Sequence, residues 1–507
     1  MKKKQKQKKF SLGPVFTIMI IILAIIVISS LFSVFQIRGE KTSIVNGYLE
    51  TSTVTVRNIF SKEGLSYFFS HSIINFSLFE PLFLLIISLI GIGIGEKSGL
   101  FKAIFAPFKK IKTSVITVLV LFLSIIATFL GEYSFALLLP LVGVFYKYIG
   151  KNPVLGIVTA FIGMTTGYAS GLLANYDTVS LGALTQAAAR VEVDKNYVFH
   201  TFSTLYIMLS STFILTACGT LFITKFLEPK LPKVKAPIEE ELKIDKHALV
   251  YSNFTFILIL FCLAYAIIPA IPGGGFLLDR TETTYIAQLL SDSAPFKSSI
   301  IFIITMILMI CSYIYGKVSK NIKSSTDYSV GLSKSFDKLG YVFVLMFFAS
   351  QMVGILNWTH LGDVVASNLI TLLSQAQFSG IPLILSMAAI VLIISFIIPG
   401  TTEKWVLASP ILVPLFMRAN IAPEFTQFIF EAISGVGKAL TPIFMYFIVL
   451  IALVEKYDTN EKTQTTVFGT IKMVLPTVLM MLGIWILIIL GWYIIGLPLG
   501  MQGVTTL

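Results

Sequence analysis

Long uncharged runs of apolar residues alternate with short charged segments along most of the 507-residue chain. Seven of these runs are close to the length that an unbroken helix needs to cross a hydrocarbon layer of about 30 Å. The pattern therefore predicts an all-α polytopic membrane protein. The seven ordinary spans lie at about 12–36, 73–95, 201–224, 249–271, 298–316, 339–356 and 471–495.

A further apolar segment near the C-terminal end is interrupted by polar residues. The run 381–398 leads into Pro-Gly-Thr-Thr-Glu-Lys-Trp at 399–405, and only 12 apolar residues follow before Arg418. As a helix, 12 residues rise about 18 Å, which is too short for a crossing. Glu403 and Lys404 would also be costly against lipid. We therefore expect a re-entrant hairpin, 381–417, whose polar tip is covered by protein or by a water-filled cavity.

The same arrangement occurs earlier in the chain. An uncharged run, 113–130, leads into Gly-Glu-Tyr-Ser at 131–134, and a short apolar run completes a hairpin at 113–146. Each hairpin is followed by a proline and then by an interrupted helix. The first such helix, 153–189, breaks at 167–178, and the second, 424–454, breaks at 434–442, where we expect Gly435 and Gly437 to end the helix.

These elements predict about nine crossings plus two re-entrant hairpins in two inverted repeats. This order of crossings assigns some of the connecting segments to the inner side of the membrane. Those inner segments contain most of the 38 Lys and Arg residues, as the positive-inside rule requires. We expect a multi-pass protein of the cell membrane with its N-terminus cytoplasmic and its C-terminus external. The predicted organisation is an N-terminal span and external loop (1–72), a first repeat (73–226), a cytoplasmic connector (227–248), a linking span and external loop (249–297), a second repeat (298–454) and a C-terminal span (471–507).

Composition supports this class and excludes others. The chain is 56% hydrophobic and 13% charged, with a mean hydropathy of +0.87, which is foreign to soluble globular proteins of this size. The formal net charge of +12 follows from the inner segments, so we expect no nucleic-acid partner. The three cysteines lie in apolar segments and the four histidines are scattered, so we expect no disulfide framework, metal or other cofactor. The basic amphipathic stretch 99–112 is typical of a segment at the membrane lipid interface.

Inverted repeats with paired hairpins and broken helices are the signature of secondary active transporters. Half-helix ends direct partial charges at the membrane centre, where a small solute or an ion replaces its water. A channel and a membrane-embedded enzyme are the other classes considered. An enzyme of this kind would need clustered acids or histidines near the interface, and the sequence has no such cluster.

Five segments of the chain contain distinctive motifs: GEYSFALLLPLVGVFYKYIGKNPVLGI (131–157), GYASGLLANYD (167–177), GALTQAAA (182–189), KWVLASPILVPLFM (404–417) and IAPEFTQ (421–427). Together they resemble motifs of the aminobenzoyl-glutamate transporter (AbgT) family, and the resemblance extends over about 12–495. It implies a homodimeric transporter with a scaffold and an inner transport core, which moves p-aminobenzoyl-glutamate or exports sulfonamide antimetabolites with the proton motive force. The same fold with a dicarboxylate, amino acid or peptide as its solute is the alternative.

The resemblance also implies site residues, although several polar ones differ from the family pattern. Trp405 and Pro423 match family residues. The family's hairpin asparagine falls on Ser395, and its asparagine before Thr-Pro falls on Lys438. The arginine and aspartate of the second broken helix fall on Glu431 and Ser434, and the aspartate of the first falls on Thr178, beside Asp177.

Two groups of candidates follow. For the coupling ion, a proton or sodium, the candidates are Asp177, Glu132 and Glu403, each of which has the alternative role of capping a helix or pairing with a lysine. For the solute the alternatives are structural: Trp405 would only pack the hairpin, and Glu431 and Lys438 would pair with each other or with Lys404 and Glu403. The solute-binding candidates are Asn175, Thr178, Ser395, Gly400, Thr401, Thr402, Trp405, Pro423, Glu431, Ser434 and Lys438.

Overall fold

A computed structural model describes residues 12–45, 47–231, 244–291, 293–337, 339–457 and 465–507. Residues 232–243, which are part of the expected connector 227–248, lie outside the described residues. The first half contains α1 Pro14–Val34, β1 Arg38–Val45, β2 Tyr48–Thr55, α2 Lys62–Ser70, α3 Ser72–Ser77, α4 Glu80–Ser98, α5 Leu100–Phe105, α6 Thr113–Ala127, α7 Tyr133–Tyr148, α8 Pro153–Thr166, α9 Tyr176–Glu192 and α10 Leu205–Phe222. The second half contains α11 Lys246–Ile267, α12 Tyr285–Leu290, α13 Pro295–Val318, α14 Ser325–Ser333, α15 Gly340–Thr359, α16 Leu361–Gln375, α17 Gly380–Ser395, α18 Thr401–Arg418, α19 Pro423–Lys438, α20 Met445–Tyr457 and α21 Val467–Ile495.

Within the described residues, eight helical segments are long and apolar enough to cross a membrane. Seven of them coincide with the seven expected ordinary spans, which confirms the all-α polytopic class. The eighth, Thr113–Leu130, is the first arm of the first expected hairpin. Its length alone would allow a crossing, and a short turn at 131–132 then leads into α7.

The segment between α1 and α2 contains a β-hairpin that the sequence did not lead us to expect. Strands β1 and β2 pair antiparallel from Arg38↔Thr55 to Val45↔Tyr48. The hairpin packs on α16, where the Asn368 side-chain amide donates to the Arg38 carbonyl oxygen at 2.9 Å. Gly39 makes this contact possible, because a Cβ there would lie 3.1 Å from the backbone of α16. The hairpin also contacts α18.

Two units have the same order of elements, α6–α7–α8–α9 and α17–α18–α19–α20. In each unit the first arm crosses the third helix at a serine and a glycine. A Cβ at Gly163 would lie 2.8 Å from that of Ser124, and a Cβ at Gly437 would lie 2.4 Å from that of Ser395. The units also interlock, because α9 packs on α18 while α20 packs on α7 and α8.

The break in the second unit lies later than we expected. The first break separates α8 from α9 at 167–175, inside the expected stretch, but α19 continues through Gly435 and Gly437 to Lys438. These glycines serve close packing instead of ending the helix. A Cβ at Gly435 would lie 2.4 Å from the Thr165 carbonyl oxygen. The expectation of a break at 434–442 was therefore wrong in position, and the break occupies 439–444.

The amphipathic stretch after α4 packs partly against protein. It forms α5 and a 3-10 helix, Ala106–Lys110. Phe101 is buried, and its ring stacks on Phe105, which in turn meets Phe145 of α7 edge-on, with centroids 4.9 Å apart. The apolar side of this stretch thus packs on α7.

Candidate functional site

A cavity of about 270 Å³ lies where the turns and breaks of the two units meet two outer helices. We call it the central cavity. The turn before α7 and the first turn of α18 supply most of its wall, and the first residues of α9 and α20 reach it from the two breaks. Helices α4 and α13, which pack along each other outside the two units, supply the rest. The lining residues are Glu80, Leu130, Glu132, Tyr133, Asp177, Lys297, Gly400, Thr401, Thr402, Glu403 and Met445.

The turn of the first unit is joined to the second unit by a partly buried ion pair. Glu132 Oε1 lies 2.7 Å from Nζ of Lys438, whose side chain is 0% exposed at the end of α19. The same ammonium lies 3.9 Å from the ring centroid of Tyr168, whose hydroxyl donates to Asp177 Oδ2. Lys438 thus pairs with Glu132. The alternative in which it pairs with Glu431 is not the arrangement in the structure.

The turn of the second unit has unpaired polar atoms. In the described part of the chain, Thr401 Oγ1 is buried without a hydrogen-bond partner, and Glu403 makes neither a hydrogen bond nor an ion pair. Gly400 makes room for that carboxylate, since a Cβ there would lie 2.5 Å from Glu403 Oε2. A second cavity of about 400 Å³ shares Thr402 and Glu403. The first turn of α18 therefore separates two cavities.

An interior network joins the two units behind the central cavity. Asn175 caps α9 by accepting from the Thr178 backbone N–H at 2.7 Å, while its amide donates to the Tyr168 carbonyl oxygen at 2.8 Å. The Thr178 hydroxyl donates to Glu431 Oε2 at 2.9 Å. Gln427 Nε2 donates to Glu431 Oε1 at 2.8 Å. Neutral donors therefore hold Glu431, which faces the α9 side of the network and does not line the central cavity.

Trp405 belongs to this network as well. Its side chain is 0% exposed, and Nε1 donates to Thr185 Oγ1 at 3.0 Å. The indole centroid lies 4.5 Å from that of Phe430. In this conformation protein fills both the hydrogen-bonding edge and the ring face, so the indole packs within the core and does not open to the cavity.

Lys404 occupies the space between two candidate serines. Its Nζ donates to Ser395 Oγ at 2.8 Å and to Ser434 Oγ. These are two positions at which the family resemblance implies an asparagine and an aspartate. Pro423 lies elsewhere, since it begins α19 and about 22 Å of helix separates it from Lys438. The neighbouring Ala422 N–H donates to the carbonyl oxygen of Thr505 in the C-terminal tail.

The structure thus divides the sequence candidates into three groups. Pro423 stands apart from both the cavity and the interior network. The interior residues are Asn175, Thr178, Ser395, Trp405, Glu431, Ser434 and Lys438. The cavity-lining residues are Glu132, Asp177, Gly400, Thr401, Thr402 and Glu403.

Sequence reasoning missed two charged residues of the cavity wall. Glu80 is the first residue of α4 and Lys297 the third residue of α13. Lys297 is only 8% exposed although no helix of the two units contains it. The available signal was a carboxylate inside the expected span 73–95, which is expensive unless it faces a polar space. Lys297 was harder to recognise from the sequence, because it lies directly before a span and resembles an ordinary charged residue of a loop.

Breaks and turns that bring polar groups together among membrane-spanning helices define a membrane transporter. The family comparison agrees with this class: the model of the AbgT putative transporter family matches residues 12–507, and the chain therefore belongs to the AbgT family.

Individual relatives are distant. The p-aminobenzoyl-glutamate transport protein of Escherichia coli (strain K12) is 25% identical over 499 residues, which are 96% of this chain and 93% of that protein. The YdaH transporter of Alcanivorax borkumensis is 23% identical, with a TM-score of 0.49 over 97% of this chain and 100% of that one. MtrF of Neisseria gonorrhoeae is 27% identical, with a TM-score of 0.49 over 97% of each chain. MtrF is reported to represent a class of antimetabolite efflux pumps.

Proposed function

We propose that this protein is a secondary active transporter that binds a small solute in the central cavity and moves it with an ion gradient. The observation that supports this most is the convergence of both turns and both breaks on one polar cavity. The first turns of α9, α18 and α20 all reach the cavity wall. Their unpaired backbone N–H groups and helix dipoles offer partial positive charge that requires no mobile side chain.

The solute is the next step of the proposal. The name of the Escherichia coli relative makes p-aminobenzoyl-glutamate the first solute to test, with sulfonamides as related antimetabolites. An amino acid or peptide is the second candidate, and the excess of carboxylates around the cavity favours it. Both candidates use the same transport cycle, in which the two units move against the outer helices.

For ion coupling we propose Asp177, with a proton or sodium as the ion. It lies at a helix break, lines the central cavity and accepts a hydrogen bond from Tyr168. The Tyr168 ring also contacts Lys438, so a change in charge at Asp177 acts on the ion pair that joins the two units. Glu132 is less suited, because Lys438 already neutralises it.

Transport by the purified protein in liposomes tests this function. We expect labelled solute to accumulate only under an imposed proton or sodium gradient. Asp177→Asn should abolish accumulation against a gradient while solute exchange across the membrane persists. Asp194→Asn, a matched change at an exposed position, should behave as wild type. Solute flux that no gradient affects, at rates far above carrier turnover, would instead indicate a channel.

Orientation and assembly remain predictions of the sequence and the family resemblance. We propose a cytoplasmic N-terminus, an external C-terminus and a homodimer within the lipid bilayer. Labelling of single cysteines introduced at exposed positions of the 37–72 loop from one side of intact cells tests the orientation. The mass of the purified protein, corrected for bound detergent, tests the dimer.

A further inference from the structure

We propose that the central cavity selects a solute with a positively charged amino group, which Glu403 binds, and that Lys297 binds the carboxylate when the solute is a zwitterion. This inference rests on the proposed transport function and specifies its solute class. It makes an amino acid or a small peptide with a free amino terminus the expected cargo.

Negative side-chain charge exceeds positive side-chain charge around the central cavity. Four carboxylates line it, those of Glu80, Glu132, Asp177 and Glu403, against the single ammonium of Lys297. Lys438 reaches Glu132 from behind and neutralises it. The remaining three carboxylates still outnumber the one cation. Because apolar helices surround the cavity, these charges are screened less than on a protein surface. The N-termini of α9, α18 and α20 offset part of this excess, since each carries about half a positive charge, but the balance still favours an ammonium over a dianion.

The first turn of α18 presents polar groups that have no partner in the described chain. Glu403 has no hydrogen-bond or ion-pair partner among the described residues, and the neighbouring Lys404 donates to Ser395 and Ser434 instead. Thr401 Oγ1, two residues earlier on the same cavity wall, is buried and has no hydrogen-bond partner in the described chain. Buried polar groups are nearly always paired, so the unpaired Thr401 hydroxyl indicates a missing ligand, while the exposed Glu403 carboxylate is open to the cavity. An ammonium group has three N–H donors, so one bound by Glu403 has donors left for a neutral oxygen such as that of Thr401.

Lys297 is the one cationic side chain that the described residues contribute to the cavity wall. Lys297 comes from α13 and Glu80 from α4, so neither belongs to the units that contain Glu403. Glu80 hydrogen-bonds with Tyr133, which connects the outer helices to the first turn. Glu403 thus lies on the α18 side of the wall, and Lys297 lies with Glu80 on the side of the outer helices. A solute whose amino group contacts Glu403 and whose carboxylate reaches Lys297 would span the cavity between these two sides.

Matched pairs of solutes separate this inference from the family's own cargo. The probes are the common amino acids and alanyl dipeptides, their N-acetyl derivatives, their decarboxylated amines, and p-aminobenzoyl-glutamate. Acetylation removes the positive charge and leaves the carboxylate and side chain. Binding is measured as a thermal shift of the full-length protein in detergent, and transport as competition in liposomes. We expect at least one amino compound to bind and its N-acetyl form to bind at least about tenfold more weakly.

Variants assign the two ends of the solute. Glu403→Gln should weaken both the zwitterion and its decarboxylated amine by at least about tenfold. Glu403→Asp keeps the charge and should retain the preference for the amino form. Lys297→Met should weaken the zwitterion but leave the decarboxylated amine unchanged. Lys317→Met, at the exposed other end of the same helix, and Glu282→Gln, in an exposed loop, are the controls and should change neither affinity.

Each remaining outcome has a defined meaning. If p-aminobenzoyl-glutamate or the N-acetyl compounds bind as tightly as the amines, or if Glu403→Gln leaves amine binding unchanged, this inference is overturned while transport stands. If no solute of any class accumulates under any gradient, the proposed transport function itself fails, and the inference fails with it.

Discussion

Each of the two units α6–α9 and α17–α20 presents a glutamate from the turn between its first two helices, yet the two carboxylates have different surroundings. Glu132 of the first unit pairs at 2.7 Å with the buried ammonium of Lys438, which belongs to the second unit. Glu403 of the second unit has no such partner in the described chain and faces two cavities. The comparison indicates that one turn joins the units while the other remains available to a ligand.

The two units resemble each other more closely in how their helices pack than in which charged residues they contain. Both cross their first and third helices at a serine and a glycine, Ser124 with Gly163 and Ser395 with Gly437. Small residues at such crossings let helix backbones approach closely, and close packing drives helix association where lipid removes the hydrophobic driving force. The shared framework therefore comes from small residues, and the differences in function come from the few charged residues on it.

The largest effect should follow from removing the joining ion pair. Glu132→Gln leaves the ammonium of Lys438 buried without a carboxylate, which should lower the free energy of unfolding by about 3–5 kcal/mol. Thermal and denaturant unfolding of the purified protein measure this. The double variant Glu132→Gln, Lys438→Met removes the stranded charge and should recover much of the loss. A double variant no more stable than the single one would contradict the pairing.

The next largest effect on stability should come from substituting the glycines at the two helix crossings. Gly437→Ala forces a methyl group into Ser395 and should cost about 1–3 kcal/mol. Gly163→Ala should cost less, because the contact it closes with Ser124 is 2.8 Å instead of 2.4 Å. Gly491→Ala in α21 is the matched control, since nothing lies within 4 Å, and should be neutral or stabilising by up to about 1 kcal/mol. A neutral Gly437→Ala would remove the evidence for the close crossing.

Stability should change little at the unpaired turn. Glu403→Gln breaks no hydrogen bond or ion pair in the described chain, so we expect its free energy of unfolding to stay within about 0.5 kcal/mol of wild type. Solute accumulation should nevertheless be lost. Paired measurements of unfolding and uptake on one preparation test the contrast with Glu132→Gln. Equal destabilisation by the two substitutions would show that the two turns do not differ as described.

The smallest effect concerns an acid outside both units that is held by neutral donors alone. Asp279, in the loop between α11 and α13, accepts hydrogen bonds from the Thr281 hydroxyl and backbone and from Ser291 and Ser293, which hold its pKa below its usual range. Because the pKa of Asp279 is lower in the folded protein than in the unfolded chain, where it is about 3.9, the charged carboxylate stabilises the fold above that pH. This stabilisation is lost as the pH falls from about 3.9 toward the pKa in the folded protein.

Acid titration of unfolding tests this. The unfolding temperature of wild type should decline more than that of Asp279→Asn when the pH falls below about 4, because asparagine has no charge to lose. Above about pH 5 the two curves should run parallel. Identical slopes below pH 4 would mean that the loop contacts do not depend on the charge of Asp279.

Much of the fold could be predicted because its signals are local. The seven ordinary spans follow from run length, and the two turns follow from short apolar arms around glycine and charged residues. The position of the second break could not be predicted, because a glycine within a helix is compatible with either an interruption or a close contact. Only the neighbour, here Thr165 for Gly435, distinguishes the two. The β-hairpin was missed because its polar residues resemble those of an ordinary loop.

The site divides in the same way. Sequence alone identified Glu132, Asp177 and the 400–403 turn, since charged and broken segments within apolar runs must face a polar space. It did not identify Glu80 and Lys297, which come from helices outside the two units and line the cavity only after packing. Nor could it assign partners: Lys438 had Glu431 seven residues away on the same helix, but it pairs with Glu132, 306 residues away.

The sequence by itself determined the membrane class, the order of spans and breaks, and the presence of acidic turns, because burial against lipid constrains each segment independently of the others. The tertiary structure alone decided which charges meet, which turn stays unpaired and where the second break falls. Those outcomes depend on distances of a few ångströms between distant segments, and neither hydropathy nor spacing contains that information.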